Sequence, residues 1–240
     1  MAKADWAALV NSLGSGDVAK AVSSAFTPPS GGGTYVHELH EVGGGSATGL
    51  AGYYCALAGF NPITGTRKCG QMSCVLKRFS SNINYAPMFG FLAGNDPNSA
   101  VGYFVGLSAE SSYHVCLKKG IPWAGMLSTD SDVLRVATAV RSDTGATADW
   151  VHLRLSVLVE PHGEVRILVE ENDLSSYIVT APTWAAIPGM AEYIDDPAGV
   201  LSGSLPKLDG FYPFFGMHIA AASGATVLVD HIQISRQLTP

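Results

Sequence analysis

Two glutamates, Glu160 and Glu164, flank a Pro-His-Gly break in the stretch "WVHLRLSVLVEPHGEVRILVEEND" at residues 150–173. Two carboxylates held about 5 to 5.5 Å apart can cleave a glycosidic bond with retention, one as nucleophile and one as acid. Opposed residues on a hairpin meet that distance. At an exposed turn the same pair is inert: water surrounds both groups, neither pKa is raised, and the charges repel mildly.

Other candidate donors are scattered. "YVHELHEV" holds His37, Glu38, His40 and Glu41, but on a strand His37 and His40 point to opposite faces and cannot share one zinc ion without a bend. The turns "GNDPNS" and "STDSD" offer Asp96, Asn98, Asp130 and Asp132 as hard oxygen ligands for structural calcium, although Asp and Asn also form turns for backbone reasons. Neither completes a known calcium loop, so the reading assigns no cofactor and keeps calcium as the alternative. Cys55, Cys69, Cys74 and Cys116 fit no zinc-site spacing and read as reduced, mostly buried thiols. No nucleophile elbow or phosphate loop occurs, and "GGGSATG" at residues 43–49 reads as a flexible turn.

The elements that must position these groups are strands. Val151, Leu153, Leu155, Val157 and Val159 alternate with His152, Arg154, Ser156, Leu158 and Glu160, and Val165, Ile167 and Val169 alternate with Glu164, Arg166 and Glu170. Pro161 and Gly163 suit a three-residue hairpin with a bulge. That register opposes Glu160 to Glu164, Leu158 to Arg166 and Arg154 to Glu170. One face of the hairpin is core; the other, with His152, Arg154, Leu158 and Arg166, is solvated or a docking surface. Further strands are expected near residues 34–41, 52–58, 69–79, 85–93, 101–108, 112–118, 132–140, 211–222 and 225–235, separated by turn residues. Near the end, Leu228, Ile232 and Ile234 would share a face with Asp230 under strict alternation. A bulge beside Asp230 resolves this better than an inward carboxylate, because an unpaired buried charge costs several kcal/mol.

Two segments break the pattern. Residues 4–26 carry Trp6, Leu9, Val10 and Leu13, then Val18, Val22 and Phe26, at helical spacings, and "TPPSGGG" follows as a hinge. Residues 1–33 therefore read as a helical arm, and 34–240 as the β domain. Within it, residues 175–210 hold four prolines and little periodicity, as a binding or docking insertion does.

Composition narrows the partners. A formal charge of -6 and no basic cluster larger than the pairs Arg67–Lys68, Lys77–Arg78 and Lys118–Lys119 disfavour nucleic acid. No stretch approaches a membrane span or a secretory signal, which gives the expectation of cytosolic synthesis. Charged residues are only 14% of the chain, against about a quarter in an average soluble protein, as on a surface partly covered by neighbours. Trp123, Trp184, Tyr177, Tyr193, Tyr212 and Phe211 can stack on sugars or fill an interface.

The Trp-led hairpin, together with "FYPFFGMHIAAASGATVLVDHIQISR" and its closing Val229, Asp230, Ile232 and Ile234, resembles concanavalin A-like jelly rolls of the laminin-G, pentraxin and laminarinase type. The resemblance implies an all-β fold: a two-sheet antiparallel jelly-roll sandwich, here with a short helical N-terminal arm. The glucanases of that family carry "ExDxxE" or "ExDxE", which this chain lacks, so the expectation is a protein that is not an enzyme. An arm, a loop and no export signal also resemble structural proteins of tailed-bacteriophage particles. That resemblance implies a capsid decoration or cement protein of the virion, assembled in the host cytoplasm. It would be a homo-oligomer bound to the major capsid protein through Trp6, Leu9, Val10, Leu13, Trp184 and Tyr193. The alternative is a carbohydrate-binding, lectin-like module of a tail or baseplate, with glycan as the partner.

Overall fold

The computed structural model describes residues 7–12, 18–23, 36–41, 49–55, 67–78, 85–93, 101–109, 113–120, 133–140, 150–159, 164–172, 181–187, 190, 192–195, 211–219 and 226–239. These form strands β1 (Ala7–Ser12), β2 (Val18–Ser23), β3 (Val36–Glu41), β4 (Gly49–Tyr54), β5 (Arg67–Arg78), β6 (Tyr85–Ala93), β7 (Val101–Ala109) and β8 (Tyr113–Gly120). They continue with β9 (Val133–Val140), β10 (Val151–Val159), β11 (Val165–Asn172), β12 (Trp184–Ala186), β13 (Tyr193–Asp195), β14 (Phe211–Ile219) and β15 (Thr226–Thr239). One sheet, here sheet A, runs β1-β4-β14-β6-β7-β8-β9; the other, sheet B, runs β12-β11-β10-β5-β15-β3-β2, with β13 also on β11. Every described pairing is antiparallel. The expected two-sheet jelly-roll sandwich is thus the fold.

The core lies between the sheets. Sheet A supplies Phe89, Phe91, Tyr103, Val105, Phe215 and Met217, and sheet B supplies Met72, Leu76, Leu153, Leu155, Val157, Val165, Ile167, Val169, Val227 and Val229. Each fully buried side chain of this size stabilises the fold by roughly 1.5–3 kcal/mol. The period-2 pattern of the hairpin places the odd-numbered aliphatics of β10 and β11 inward, as the sequence requires.

The outer faces of the two sheets differ, and that decides where a site lies. On sheet A the residues opposite the core, Met88, Leu92, Phe104, Cys116, Lys118 and Phe214, are buried as well. Strands buried on both faces lose their alternation, which is why β6 and β7 read as nearly continuous apolar runs. Phe104 and Phe214 flank Gly90 in neighbouring strands and meet edge to face at 6.3 Å. A Cβ at Gly90 would overlap the Tyr103 carbonyl oxygen. Sheet B instead keeps polar side chains on its outer face, several of them exposed.

One expectation fails. Residues 7–12 and 18–23 are strands rather than an amphipathic helical arm: β1 pairs along its length with β4 in sheet A, and β2 with β3 in sheet B. Val and Ser in this stretch are indifferent helix formers, and the edges of β3 and β4 supply hydrogen bonds that outweigh the weak helical spacing. The described part of the 175–210 segment, expected to be irregular, is built onto sheet B. β12 and β13 pair with the two ends of β11, and Ile187 and Met190 between them are buried in the core. Met190 N–H donates to Ile187 C=O at 2.9 Å. The segment covers an edge that would otherwise present unpaired backbone groups.

Candidate functional site

The rows of sheet B's outer face follow from its registers. Trp184, Asn172, His152, Val75 and Asp230 lie side by side across β12, β11, β10, β5 and β15. The next row is Ala186, Glu170, Arg154, Ser73 and Gln233, and the one after it Leu168, Ser156, Gln71 and Ser235.

β15 reaches this arrangement through a bulge. Asp230 opposes Val75 and Gln233 opposes Ser73, so His231 and Ile232 together span the single residue Cys74. His231 takes the left-handed conformation, with φ of 47°. The extra residue turns Ile232 and Ile234 against the core while Asp230, before the bulge, remains on the outer side. The expected bulge is therefore present, and it is what places Gln233 and Ser235 outward.

At the β12 end the side chains interlock. Thr183 N–H donates to Asn172 Oδ1 at 2.9 Å, so the amide nitrogen of Asn172 faces His152 Nδ1, 3.1 Å away. That nitrogen must accept, which leaves the imidazole proton on Nε2. His152 is buried and meets the Trp184 ring edge-on at 4.6 Å and the His231 ring at 5.9 Å. Burial, then His231, then Arg154 lower its pKa to about 4. Arg154 donates from Nε to Glu170 Oε2 at 2.6 Å, with Nη2 2.5 Å from the same oxygen, and its guanidinium lies over the Trp184 ring, 4.6 Å from the centroid. His152 and Arg154 both rise from the outer side of β10, so Trp184 rests on them. The indole is partly exposed. On the inner side of β5, burial and then the Asp230 charge push the Cys74 thiol up.

The middle of the face is uncharged. Gln71 Nε2 donates to Ser156 Oγ at 3.0 Å, Ser235 Oγ donates to Gln71 Oε1 at 3.2 Å, and Gln233 Nε2 lies 2.8 Å from His231 Nε2.

The sequence candidates are distributed as follows. Arg154 opposes Glu170, and Leu158 opposes Arg166, as expected. Glu164 is held by Arg166 Nε at 2.8 Å, and the same guanidinium reaches Glu192 at 3.5 Å. Glu160 lies outside the described residues. So do Trp6, Leu13, Tyr177, Trp123, Asp96, Asn98, Asp130, Asp132 and Cys69's side-chain surroundings. Leu9 and Val10 belong to β1, Tyr193 to β13, and His37 and His40 to β3. Only Trp184 of the named contact residues is seen within the cluster. Among the described residues no three His, Cys, Asp or Glu side chains converge to hold a metal ion. His152, Asn172, His231, Gln71 and Gln233 were not singled out as site residues; the outward phase of β10 and the broken alternation at Asp230 were the available signals.

No family model and no curated protein matches the chain. Solved structures do. The carbohydrate recognition domain of Emp46p, in its potassium-bound form, superposes with a TM-score of 0.51 at 9% identity, over 96% of this chain and 88% of that one. Arcelin-5, a lectin-like defence protein from Phaseolus vulgaris, gives 0.49 at 8% identity over 98% and 100%. Lectin II from Ulex europaeus gives 0.45 at 12% over 97% and 98%. The likeness to the recognition domain is one of fold, a two-sheet antiparallel jelly-roll sandwich, in agreement with the jelly-roll resemblance. It overturns the other half of that resemblance, a bacteriophage capsid decoration or cement protein. The described residues of the arm on which that reading leaned, 7–12 and 18–23, are strands of the two sheets.

Proposed function

We propose that the chain is a carbohydrate-binding, lectin-like module that acts by recognition and not by catalysis, with Trp184 as the stacking platform of its site. The observation that carries this is the seating of Trp184. Its ring packs against His152, lies under the Arg154 guanidinium that Glu170 holds, and stays partly exposed. An aromatic face held rigid beside fixed donors and acceptors suits a pyranose, which offers apolar C–H on its faces and hydroxyls at its rim. The recognition-domain fold supports the same reading. The non-catalytic part rests on chemistry: the hairpin carboxylate that is described, Glu164, is engaged by Arg166.

The test is a glycan array followed by calorimetry on wild type and Trp184→Ala. Saturable binding of at least one saccharide is expected, weakened at least tenfold in the variant, which corresponds to ~1.4 kcal/mol. Absence of binding across the array, or equal binding by the variant, refutes the proposal.

A further inference from the structure

Resting on that reading, we infer that the site takes an internal stretch of a linear, electrically neutral polysaccharide, laid across the strands of sheet B from Trp184 toward Gln233 and Ser235. Three observations lead there. The first is continuity: from β12 to β15 the outer face crosses four strand spacings, about 19 Å, several times the width of one sugar ring. The platform occupies only its first part.

The second is hydrogen-bonding capacity. Ser156, Gln71 and Ser235 form a cross-strand chain, and Gln233 and Ser235 are exposed while Gln71 is half-exposed. Gln71 spends one amide hydrogen on Ser156 and one lone pair on Ser235, which leaves one further donor and one further acceptor. These amides are fixed in place by their neighbours, so ordering them on binding costs little side-chain entropy. Sugar hydroxyls, which both donate and accept, match such groups.

The third is charge. The strip from Ser156 to Ser235 carries no ionisable side chain, and Arg154 at its margin is already neutralised by Glu170. With a formal charge of -6 on the chain and no cationic side chain in the strip to receive an anionic group, a polyuronate or sulfated glycan would be repelled. A neutral chain meets no such barrier.

The experiment uses linear neutral gluco-, manno-, xylo- and galacto-oligosaccharides of two to six residues, with oligouronates of equal length, titrated into the full chain. In at least one neutral series, affinity is expected to rise about tenfold or more from disaccharide to tetrasaccharide. Gln71→Ala and Gln233→Ala should lower tetrasaccharide affinity roughly three- to tenfold and leave the disaccharide, held by Trp184 alone, unchanged. Equal affinity at all lengths, preference for uronates, or unaltered tetrasaccharide binding by both glutamine variants overturns this inference while leaving the lectin reading intact. Failure to bind any member of the panel or of a full array overturns both. Unchanged thermal unfolding of the two variants ties any loss to the strip and not to the fold.

Discussion

The buried imidazole of His152 makes the stability of the protein depend on pH in a window set by its own environment. Its pKa falls from the usual 6.5 to about 4, because burial removes water from the charged form and because His231 and Arg154 repel it. The geometry acts in the same direction, since a proton on Nδ1 would confront the Asn172 amide hydrogens that this nitrogen accepts. A group whose folded pKa is depressed in this way protonates more readily in the unfolded chain. Its contribution is fully present above pH 6.5 and is lost as the pH falls toward 4. The full loss is ~3 kcal/mol, of which about 2 kcal/mol has gone at pH 5. Such a loss is a large fraction of a typical domain stability of about 5–15 kcal/mol. Carboxylates in general also titrate in acid, so the clean quantity is a difference. Denaturant unfolding of wild type and His152→Gln at pH 7.5, 6, 5 and 4 should show the wild type losing about 2 kcal/mol more than the variant by pH 5. Parallel curves for the two proteins, or an imidazole resonance titrating near 6.5 in the folded state, would refute the account.

Two further substitutions probe the scaffold. Gly90→Ala should cost about 3 kcal/mol or more, because its methyl group meets the backbone of β7 and not a movable side chain; chemical denaturation or loss of soluble yield reports it. Removal of residues 1–33 takes β1 from sheet A and β2 from sheet B and bares the edges of β4 and β3. The truncated protein is expected to aggregate or to unfold at markedly lower denaturant, and a truncated form as stable as the full chain would show that these strands are dispensable.

Where one face of a strand is dry and the other wet, the sequence announces both the strand and its register. The pairing of Arg154 with Glu170 follows from counting outward from Pro161–Gly163, and the bulge at Asp230 from the conflict between a carboxylate and flanking isoleucines. Such arithmetic fails at the ends of the chain. β1 and β2 are edge strands whose apolar residues fall at spacings of three and four, and only the tertiary partners β4 and β3 select the extended form. It fails equally at β12 and β13, which are three residues each. Elements that short have no period to read, and their strand character comes entirely from the open edge of β11.

The same distinction explains why the site was legible only in fragments. Its ingredients sit on the alternating strands and can be placed outward one by one: His152 and Arg154 on β10, Glu170 on β11, Gln71 on β5. What joins them depends on two features with no periodic signature. The short β12 brings Trp184 across Asn172 onto His152, a reach over two strands that only its pairing with β11 permits. The bulge at His231 reverses the phase of β15, so that Gln233 and Ser235 join Gln71 and Ser73 in place of the two isoleucines. Without that extra residue the isoleucines would face solvent and the polar side chains would face the core, a cost the sandwich would not sustain. The irregularity that lets the strand bury its isoleucines is therefore also what assembles the polar strip, and both the packing and the polar surface of this face rest on the one added residue.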